Sequence, residues 1–179
     1  MAAEPRARRL FFAIWPDDAT RERLAALSGA AHAAFGGRRM PVDNLHMTLA
    51  FLGDVAPARI ACAMRAGDEL GRLPALSMSI DQVRCWRHNR IVWCGPAVFP
   101  AALGDIAEQL GQRLAEEGFR LDARPFAAHA TLLRNADCSR AAPAFASFEW
   151  QVNRIVLVES SLAAAGARYA IVGRWPLAQ

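Results

Sequence analysis

The chain has 179 residues, 54% of them hydrophobic and 21% charged, and its formal net charge is +4. This composition is typical of a soluble globular protein and excludes a membrane-spanning one, since no apolar run approaches roughly 18 residues. The length suffices for one domain with a full core, or for two small lobes that share one. The apolar run Leu10–Trp15 is too short for a signal peptide, so we expect a cytoplasmic protein.

The predicted elements favour an α+β fold. Apolar residues at helical spacing predict helices over residues 17–35, from 57 to about 70, and 100–117. Apolar or alternating runs predict strands at 9–14, 45–52, 76–85, 90–94, 126–134, 152–159 and 169–175, and the Ala/Pro-rich stretch 135–147 predicts a loop. Because adjacent strands alternate with few helices, we expect antiparallel sheets rather than a doubly wound parallel sheet.

The cysteines at positions 62, 85, 94 and 138 lack the paired spacing of a structural zinc site. In a cytoplasmic protein we expect them to be reduced thiols. Cys85 and Cys94 flank the turn predicted at 87–89 and could face each other across a hairpin, but we do not expect a disulfide there.

Two of the four histidines stand in the same four-residue word, His-x-Thr-Leu. The words are His46-Met47-Thr48-Leu49 and His129-Ala130-Thr131-Leu132. On ordinary residue usage, Thr and Leu follow a histidine at these offsets roughly once in a few hundred times. Both words lie in strand-like runs, and a strand places residues i and i+2 on one face. Each histidine is therefore predicted to share a face with its threonine.

Two imidazoles suit a reaction that takes one proton and returns another near neutral pH. A neutral imidazole can accept a proton from an attacking water, and a charged one can protonate the departing oxygen of a phosphodiester. The threonine hydroxyls of both words can hydrogen-bond phosphate oxygens. No metal or other cofactor is required for this chemistry. A metallohydrolase is disfavoured because no carboxylate accompanies the histidines at a metal-like spacing.

Several residues outside the words could either contact the substrate or only support the fold. All 21 basic residues are arginine, and the modest positive charge fits an anionic substrate. Arg38 and Arg39 could contact an RNA backbone. Trp86 and Trp93 could stack on a base, although core or rim packing is the more common role. We expect His32 and His88 at the surface. Tyr169 could lie near the site or pack within a strand.

Segments around the words also match a known family. They are Arg9–Ile14, Asn44–Leu49, Phe51–Gly53, Gly118-Phe119, Arg124–Phe126, the second word, Glu159-Ser160 and Gly166–Tyr169. Through these segments the chain resembles the 2H phosphoesterase superfamily, and within it the RNA 2′,3′-cyclic phosphodiesterases, also called 2′-5′ RNA ligases. The resemblance covers nearly the whole chain. Ala128 and Ala130 depart from the family pattern, which leaves packing rather than catalysis in question.

The resemblance implies a bilobal α+β fold, a single domain over residues 1–179 made of two pseudo-symmetric lobes. Two antiparallel sheets would form a central cleft with helices packed outside. It implies metal-free hydrolysis of RNA 2′,3′-cyclic phosphate ends to a 2′-phosphomonoester, and 2′-5′ ligation when an RNA 5′-OH replaces water. His46 would be the proton donor, His129 the proton acceptor, and Thr48 and Thr131 would bind the phosphate. The expected partner is RNA, or a small cyclic nucleotide, and we expect a monomer.

Arg134 also matches a family position, three residues after Thr131. In a regular strand it would point away from His129, unless a bulge or the strand end redirects it. It could therefore bind phosphate or form a structural salt bridge.

Two alternative functions remain open from the sequence. Another 2H activity would act on a small cyclic nucleotide, a cyclic ADP-ribose phosphate or a 2′-5′ oligonucleotide, with the same catalytic words and a different cleft wall. An RNA-binding factor would hydrolyse its ligand only incidentally. Replacing His46 or His129 separates them, because a binding role should survive that change.

Overall fold

The computed structural model describes residues 6–122, 125–163 and 166–178. Arg124, part of one segment that carries the resemblance, lies outside these ranges. The strands are β1 (Arg8–Ile14), β2 (Arg38–Arg39), β3 (Met47–Val55), β4 (Leu76–Ile80), β5 (Gln82–Trp86), β6 (Ile91–Gly95), β7 (Ala130–Arg134), β8 (Phe148–Val152), β9 (Arg154–Ala163) and β10 (Gly166–Pro176). The α-helices are α1 (Asp18–Phe35), α2 (Ile60–Asp68) and α3 (Ala101–Glu116).

The fold is α+β with two antiparallel sheets, which confirms the prediction. The large sheet has the order β10-β9-β1-β3-β7-β6-β5, with β2 paired to β7, and the small sheet pairs β4 with β8. The half that contains β3 joins the half that contains β7 through the antiparallel pair Met47–Ala130. This pair lies inside both His-x-Thr-Leu words, so the fold brings together two segments that are 83 residues apart.

The helices cover one face of the large sheet. Helix α1 begins where the Asp17 carboxylate accepts a hydrogen bond of 2.7 Å from the Thr20 backbone N–H, and it ends at Gly36 with φ of 64°. The helices bury apolar stripes formed by Leu24, Leu27, Ala31 and Phe35 of α1, Ala63 and Ala66 of α2, and Leu103, Ile106, Leu110 and Leu114 of α3. The opposite face of the sheet is left open around the two words.

Strand β1 is buried on both faces. Its Leu10, Phe12 and Ile14 belong to the main core beneath the helices. Phe11 belongs to a second apolar cluster on the other face, together with Trp15 just after the strand. A continuous apolar run is the pattern expected of such a strand. The second cluster lies on the open face, beside the first word.

Two strand predictions need correction. The single strand predicted over 76–85 is two strands in different sheets, since β4 pairs with β8 and β5 with β6. The chain changes sheets at Asp81, whose carboxylate accepts a hydrogen bond from the Ala97 backbone N–H at 2.6 Å. Strand β8 was not predicted, because its alternating residues Phe148–Val152 directly follow the Ala/Pro-rich loop and directly precede β9.

The motif strands begin later than predicted. Strand β3 starts at Met47 and β7 at Ala130, so each histidine lies one residue before its strand. The residues from Phe126 to His129 are not part of β7. They pass close to Gly95 at the end of β6 and do not continue the β6–β7 ladder. A Cβ atom at Gly95 would lie 2.5 Å from the Ala128 carbonyl oxygen, so only glycine allows this close approach.

The expectation of reduced cysteines is wrong for two of the four. Cys85 forms a disulfide with Cys138, and their Cα atoms are 5.6 Å apart. As expected, Cys85 does not pair with Cys94, because Cys94 lies opposite Val83 in the β5–β6 ladder, and its free thiol is buried. Burial raises the pKa of the Cys94 thiol to about 12, so it stays protonated and unreactive at neutral pH.

None of the helices in the described ranges has both the length and the apolar character needed to cross a membrane.

Candidate active site

The two words have the same environment, residue for residue. In each, the histidine and the threonine are half-buried, while the residue between them is buried. The two residues after each threonine are both buried, and the third is exposed. Those third residues are Phe51 and Arg134. The words therefore form two equivalent structural units and not merely two similar strings.

A β-bulge follows each threonine and explains the shared pattern. In the β1–β3 ladder, Thr48 pairs with Ala13 and Ala50 with Phe12, which leaves Leu49 as an extra residue. In the β6–β7 ladder, Thr131 pairs with Trp93 and Leu133 with Val92, which leaves Leu132 as the extra one. An extra residue reverses the facing parity of everything after it.

The bulge resolves the position of Arg134. Regular strand parity would turn this side chain away from His129, but the bulge returns it to the open face, where it lines the same cleft as both histidines. Phe51 occupies the corresponding position after the first word and lines the cleft too. Sequence reasoning missed Phe51. The signal that could have found it is its offset from Thr48, which equals the offset of Arg134 from Thr131.

His46 is held by hydrogen bonds and by aromatic rings. Its Nδ1 lies 2.7 Å from the Asn44 carbonyl oxygen, and its Nε2 lies 3.0 Å from Thr48 Oγ1. Because a carbonyl can only accept, Nδ1 carries a proton, and Nε2 is the atom that gains or loses one. The ring stacks on Trp15 at a centroid distance of 5.5 Å and an angle of 12°, and Tyr169 contacts it edge-on at 5.4 Å.

His129 makes the corresponding Nδ1 hydrogen bond on the other side of the cleft. Its Nδ1 lies 2.8 Å from the Ala127 carbonyl oxygen, which again leaves Nε2 as the titrating atom. The Trp86 ring contacts the imidazole edge-on at 4.6 Å, and Trp93 lies at 6.3 Å. In both words, therefore, the backbone carbonyl two residues earlier fixes the tautomer of the histidine.

Burial lowers the pKa of both imidazoles. The pKa of His46 falls to about 4, mainly through burial, with further lowering by the charges of His129 and Arg134, while the hydrogen bond to the Asn44 carbonyl acts in the opposite direction. Burial also lowers the pKa of His129, against the bond to the Ala127 carbonyl. These shifts favour the neutral form of both imidazoles, and a bound anion would favour their protonation.

The cleft has a volume of about 1010 Å³ and holds both words. Its walls carry the basic residues Arg6, Arg8, Arg9 and Arg134 and the acidic residues Asp54 and Glu159. Arg8 is neutralised by an ion pair with Glu159. Within the described ranges, neither Arg9 nor Arg134 has a carboxylate partner. The cleft therefore offers unpaired positive charge to an anionic ligand.

The remaining candidates divide between the site and the scaffold. Tyr169, Trp86 and Trp93 all contact a motif histidine, as described above. Arg39 donates hydrogen bonds to the Ala25 carbonyl oxygen at 3.0 Å and to Ser28 Oγ at 3.3 Å, so it joins β2 to α1. The other three, Arg38 in β2, His32 on α1 and His88 in the β5–β6 turn, are exposed and do not line the cleft.

The donor atoms near the words do not make a metal site. Over residues 6–122, 125–163 and 166–178, no three His, Cys, Asp or Glu side chains group closely enough to hold a metal ion.

Comparison with known proteins agrees with this geometry. A model of the LigT-like phosphoesterases matches the chain twice, over residues 14–93 and 95–169, and each match contains one of the words. The chain belongs to the LigT-like phosphoesterase family.

Curated relatives in the family share a single name. The RNA 2′,3′-cyclic phosphodiesterase of Escherichia coli K12 is 36% identical over 175 residues, which cover 96% of this chain and 98% of that protein. The protein of the same name from Thermus thermophilus is 28% identical over 179 residues, covering 94% and 90% of the two chains.

Solved structures of LigT-like phosphoesterases have the same fold. E. coli LigT without ligand superposes with a TM-score of 0.82 at 34% identity, covering 98% of this chain and 100% of that one. E. coli LigT in complex with 3′-AMP superposes with a TM-score of 0.84 at 32% identity, covering 97% and 99%.

Proposed function

We propose that this protein hydrolyses RNA 2′,3′-cyclic phosphate ends to 2′-phosphomonoesters. The observation that carries the proposal is the convergence of two equivalent His-x-Thr units and Arg134 on one positively charged cleft. The names of the curated relatives support the same substrate. Both halves of the cleft belong to one chain, so we propose a monomer acting as a single domain of two pseudo-symmetric lobes. We also propose the cytoplasm, where RNA is found, as its location.

The proposed chemistry is one proton transfer at each imidazole. A water attacks phosphorus and passes its proton to Nε2 of His129, the bond from phosphorus to the 3′ oxygen breaks, and Nε2 of His46 protonates that oxygen. The products are a 2′-phosphomonoester and a free 3′-OH. An RNA 5′-OH in place of water would give a 2′-5′ linkage. Thr48, Thr131 and Arg134 would hold the nonbridging phosphate oxygens as charge develops on them.

The role of His46 as the donor requires the substrate. Burial lowers its pKa to about 4, which favours the neutral form at pH 7. A phosphodiester anion offsets the repulsion from Arg134 with attraction, and this raises the pKa of the imidazole toward the range in which a general acid works. We therefore propose that His46 becomes protonated as the substrate binds.

This protonation can be followed directly. We expect the Cε1–H resonance of His46 to titrate near pH 4 in the free protein and at a higher pH when inorganic phosphate fills the cleft. The measurement is a proton–carbon NMR titration with and without phosphate, assigned by comparison with His46→Gln. The Cε1–H chemical shift of His32, exposed on α1 outside the cleft, is the internal control that phosphate should leave unchanged at fixed pH. Equal titration curves for His46 in both conditions would contradict the proposed role.

A substrate panel tests the function itself. We expect turnover of RNA oligonucleotides ending in 2′,3′-cyclic phosphate, and of 2′,3′-cyclic AMP, with only 2′-phosphate products and no loss of rate in EDTA. Chromatography against 2′- and 3′-phosphate standards identifies the isomer. A 3′-phosphate product would refute the proposed leaving group. Turnover restricted to 2′-5′ dinucleotides would favour the other 2H activity, and binding without turnover of any substrate would favour an RNA-binding factor.

A further inference from the structure

The Cys85–Cys138 disulfide lies next to the residue that contacts His129. Trp86 is the last residue of β5, and β5 is the edge strand of the large sheet, where it pairs with β6. From this position its ring reaches across Trp93, at a centroid distance of 5.3 Å, to meet His129 at 4.6 Å. An edge strand has ladder hydrogen bonds on one side, so contacts outside the ladder contribute to the position of this ring.

The disulfide joins the end of β5 to the segment that follows β7. Cys85 immediately precedes Trp86, and the Cys138 sulfur lies 3.8 Å from the Trp86 carbonyl oxygen. The clamp therefore acts on the backbone that carries the indole ring. Its two cysteines are separated by 53 positions along the chain, so it joins parts of the fold that the β5–β6 hairpin alone does not.

The segment around Cys138 is anchored independently of the disulfide. The Asp137 backbone N–H donates to the Phe35 carbonyl at the end of α1 at 2.8 Å. The Ala136 backbone N–H donates to the Arg90 carbonyl at 3.0 Å, and Arg90 Nε donates back to the Ala136 carbonyl at 3.0 Å. Breaking the disulfide would leave these bonds in place, including those at the Arg90 end of the β5–β6 turn, and would remove the direct tie between the segment and the end of β5 that carries Trp86.

We propose that Trp86 is a positioning residue for His129 and that the Cys85–Cys138 disulfide is a redox-sensitive clamp that holds it there. The edge contact limits rotation of the imidazole and keeps Nε2 directed at the cleft. A disulfide in a cytoplasmic protein is usually transient or redox-sensing, which is consistent with a clamp that a cellular dithiol opens. The activity expected of the clamp rests on the proposed function.

The redox step needs only a dithiol. One thiolate of the reductant attacks a sulfur of the disulfide, forming a mixed disulfide and releasing one cysteine thiolate. The second thiol of the reductant then displaces the other cysteine. The protein gains two electrons and two protons as two thiols, and the dithiol becomes a cyclic disulfide. A disulfide oxidant such as oxidised glutathione reverses the exchange.

The activity test compares oxidised and dithiothreitol-reduced protein on an RNA 2′,3′-cyclic phosphate. Because small misplacement of a catalytic group is costly, we expect reduction to lower kcat by about three- to tenfold with KM unchanged. Cys138→Ser should have the lower kcat and should not respond to dithiothreitol. Cys62→Ser, which removes a free thiol on α2, is the matched control and should respond as the wild type does.

The ring itself is tested by substitution. We expect Trp86→Leu to have the kcat of the reduced protein in both redox states, and Trp86→Phe to recover most of the loss, because the edge contact needs an aromatic ring. A wild-type kcat in Cys138→Ser, or in Trp86→Leu, would overturn the proposal. Thermal unfolding of each variant separates a local effect from loss of the fold.

A readout without turnover keeps the two proposals distinct. The Trp86 ring current shifts the Cε1–H resonance of His129, so reduction should move that resonance in wild type and leave it unmoved in Cys138→Ser. An oxidised protein that hydrolyses no cyclic phosphate but shows this redox-dependent shift would refute the proposed function and retain the clamp. An active protein whose His129 resonance ignores the redox state would refute the clamp alone.

Discussion

Replacing His46 or His129 with alanine is expected to lower kcat on an RNA 2′,3′-cyclic phosphate by a factor of about 10² to 10⁴, the usual contribution of a positioned general acid or base. The tautomer of each imidazole is fixed by a backbone carbonyl, so each variant removes one defined proton carrier, Nε2. Because the proposed mechanism uses both imidazoles in the same displacement, the double variant should cost little more than the worse single one. Single-turnover kinetics measures these rates without interference from product release.

His32→Ala is the matched control for both substitutions. This histidine is exposed on α1 and lies outside the cleft, so its variant should retain wild-type turnover. Retained cyclic phosphate hydrolysis in His129→Ala would contradict the two-imidazole scheme. Ligand binding should survive in both active-site variants, since the threonines and Arg134 remain, and fluorescence titration with a non-hydrolysable nucleotide can check this.

Replacing Thr48 or Thr131 with valine is expected to lower kcat/KM by about ten- to a hundredfold. Valine keeps the β-branched shape that suits the strand, so the change removes a hydroxyl and little else. A hydrogen bond to a charged group contributes about 1.5–3 kcal/mol, which corresponds to this range. Thr48→Val also removes the hydroxyl that lies 3.0 Å from His46 Nε2. Steady-state kinetics on a 2′,3′-cyclic phosphate measures both variants.

The control for the valine variants is Thr20→Val on α1. Thr20 is buried at the start of the helix, where its backbone N–H and its hydroxyl donate to the Asp17 carboxylate, and it is remote from the cleft. We expect this variant to lose stability in thermal unfolding but to keep its kcat/KM. An unchanged kcat/KM in the double variant Thr48→Val/Thr131→Val would show that the hydroxyls do not bind the reacting phosphate.

The grouping of the candidate site residues could be predicted from the sequence because those residues belong to two local words. His46 and His129 could be paired by their identical contexts, and strand parity placed each with its threonine. Parity failed at Arg134 because the alternation of a regular strand does not survive a bulge. The two consecutive buried leucines before Arg134 are the trace of that bulge, and Leu49-Ala50 before Phe51 is the corresponding trace in the first word.

Features that depend on tertiary neighbours were not accessible in this way. The Cys85–Cys138 bond requires the edge strand β5 to lie beside the segment after β7, and nothing local to either cysteine indicates that proximity. The division of 76–85 into two strands likewise depends on β8, whose pairing with β4 joins segments that are far apart along the chain. Local apolar patterns define an element but do not choose its partner.

The pair Met47–Ala130 makes the centre of the cleft nearly symmetric, so the centre alone does not define the orientation of a bound substrate. Antiparallel register about this pair sets His46 beside Thr131 and Thr48 beside His129, so the four groups are related by a local two-fold axis. A symmetric anion placed on that axis would bind with the same energy in either of its two orientations. A ribose cyclic phosphate has distinct ends, and only residues that break the two-fold relation can select which end meets which imidazole. Phe51 and Arg134 are such residues, because one presents an aromatic ring and the other a cation at equivalent positions. Exchanging the two side chains would therefore impair the orientation of the substrate more than it impairs proton transfer.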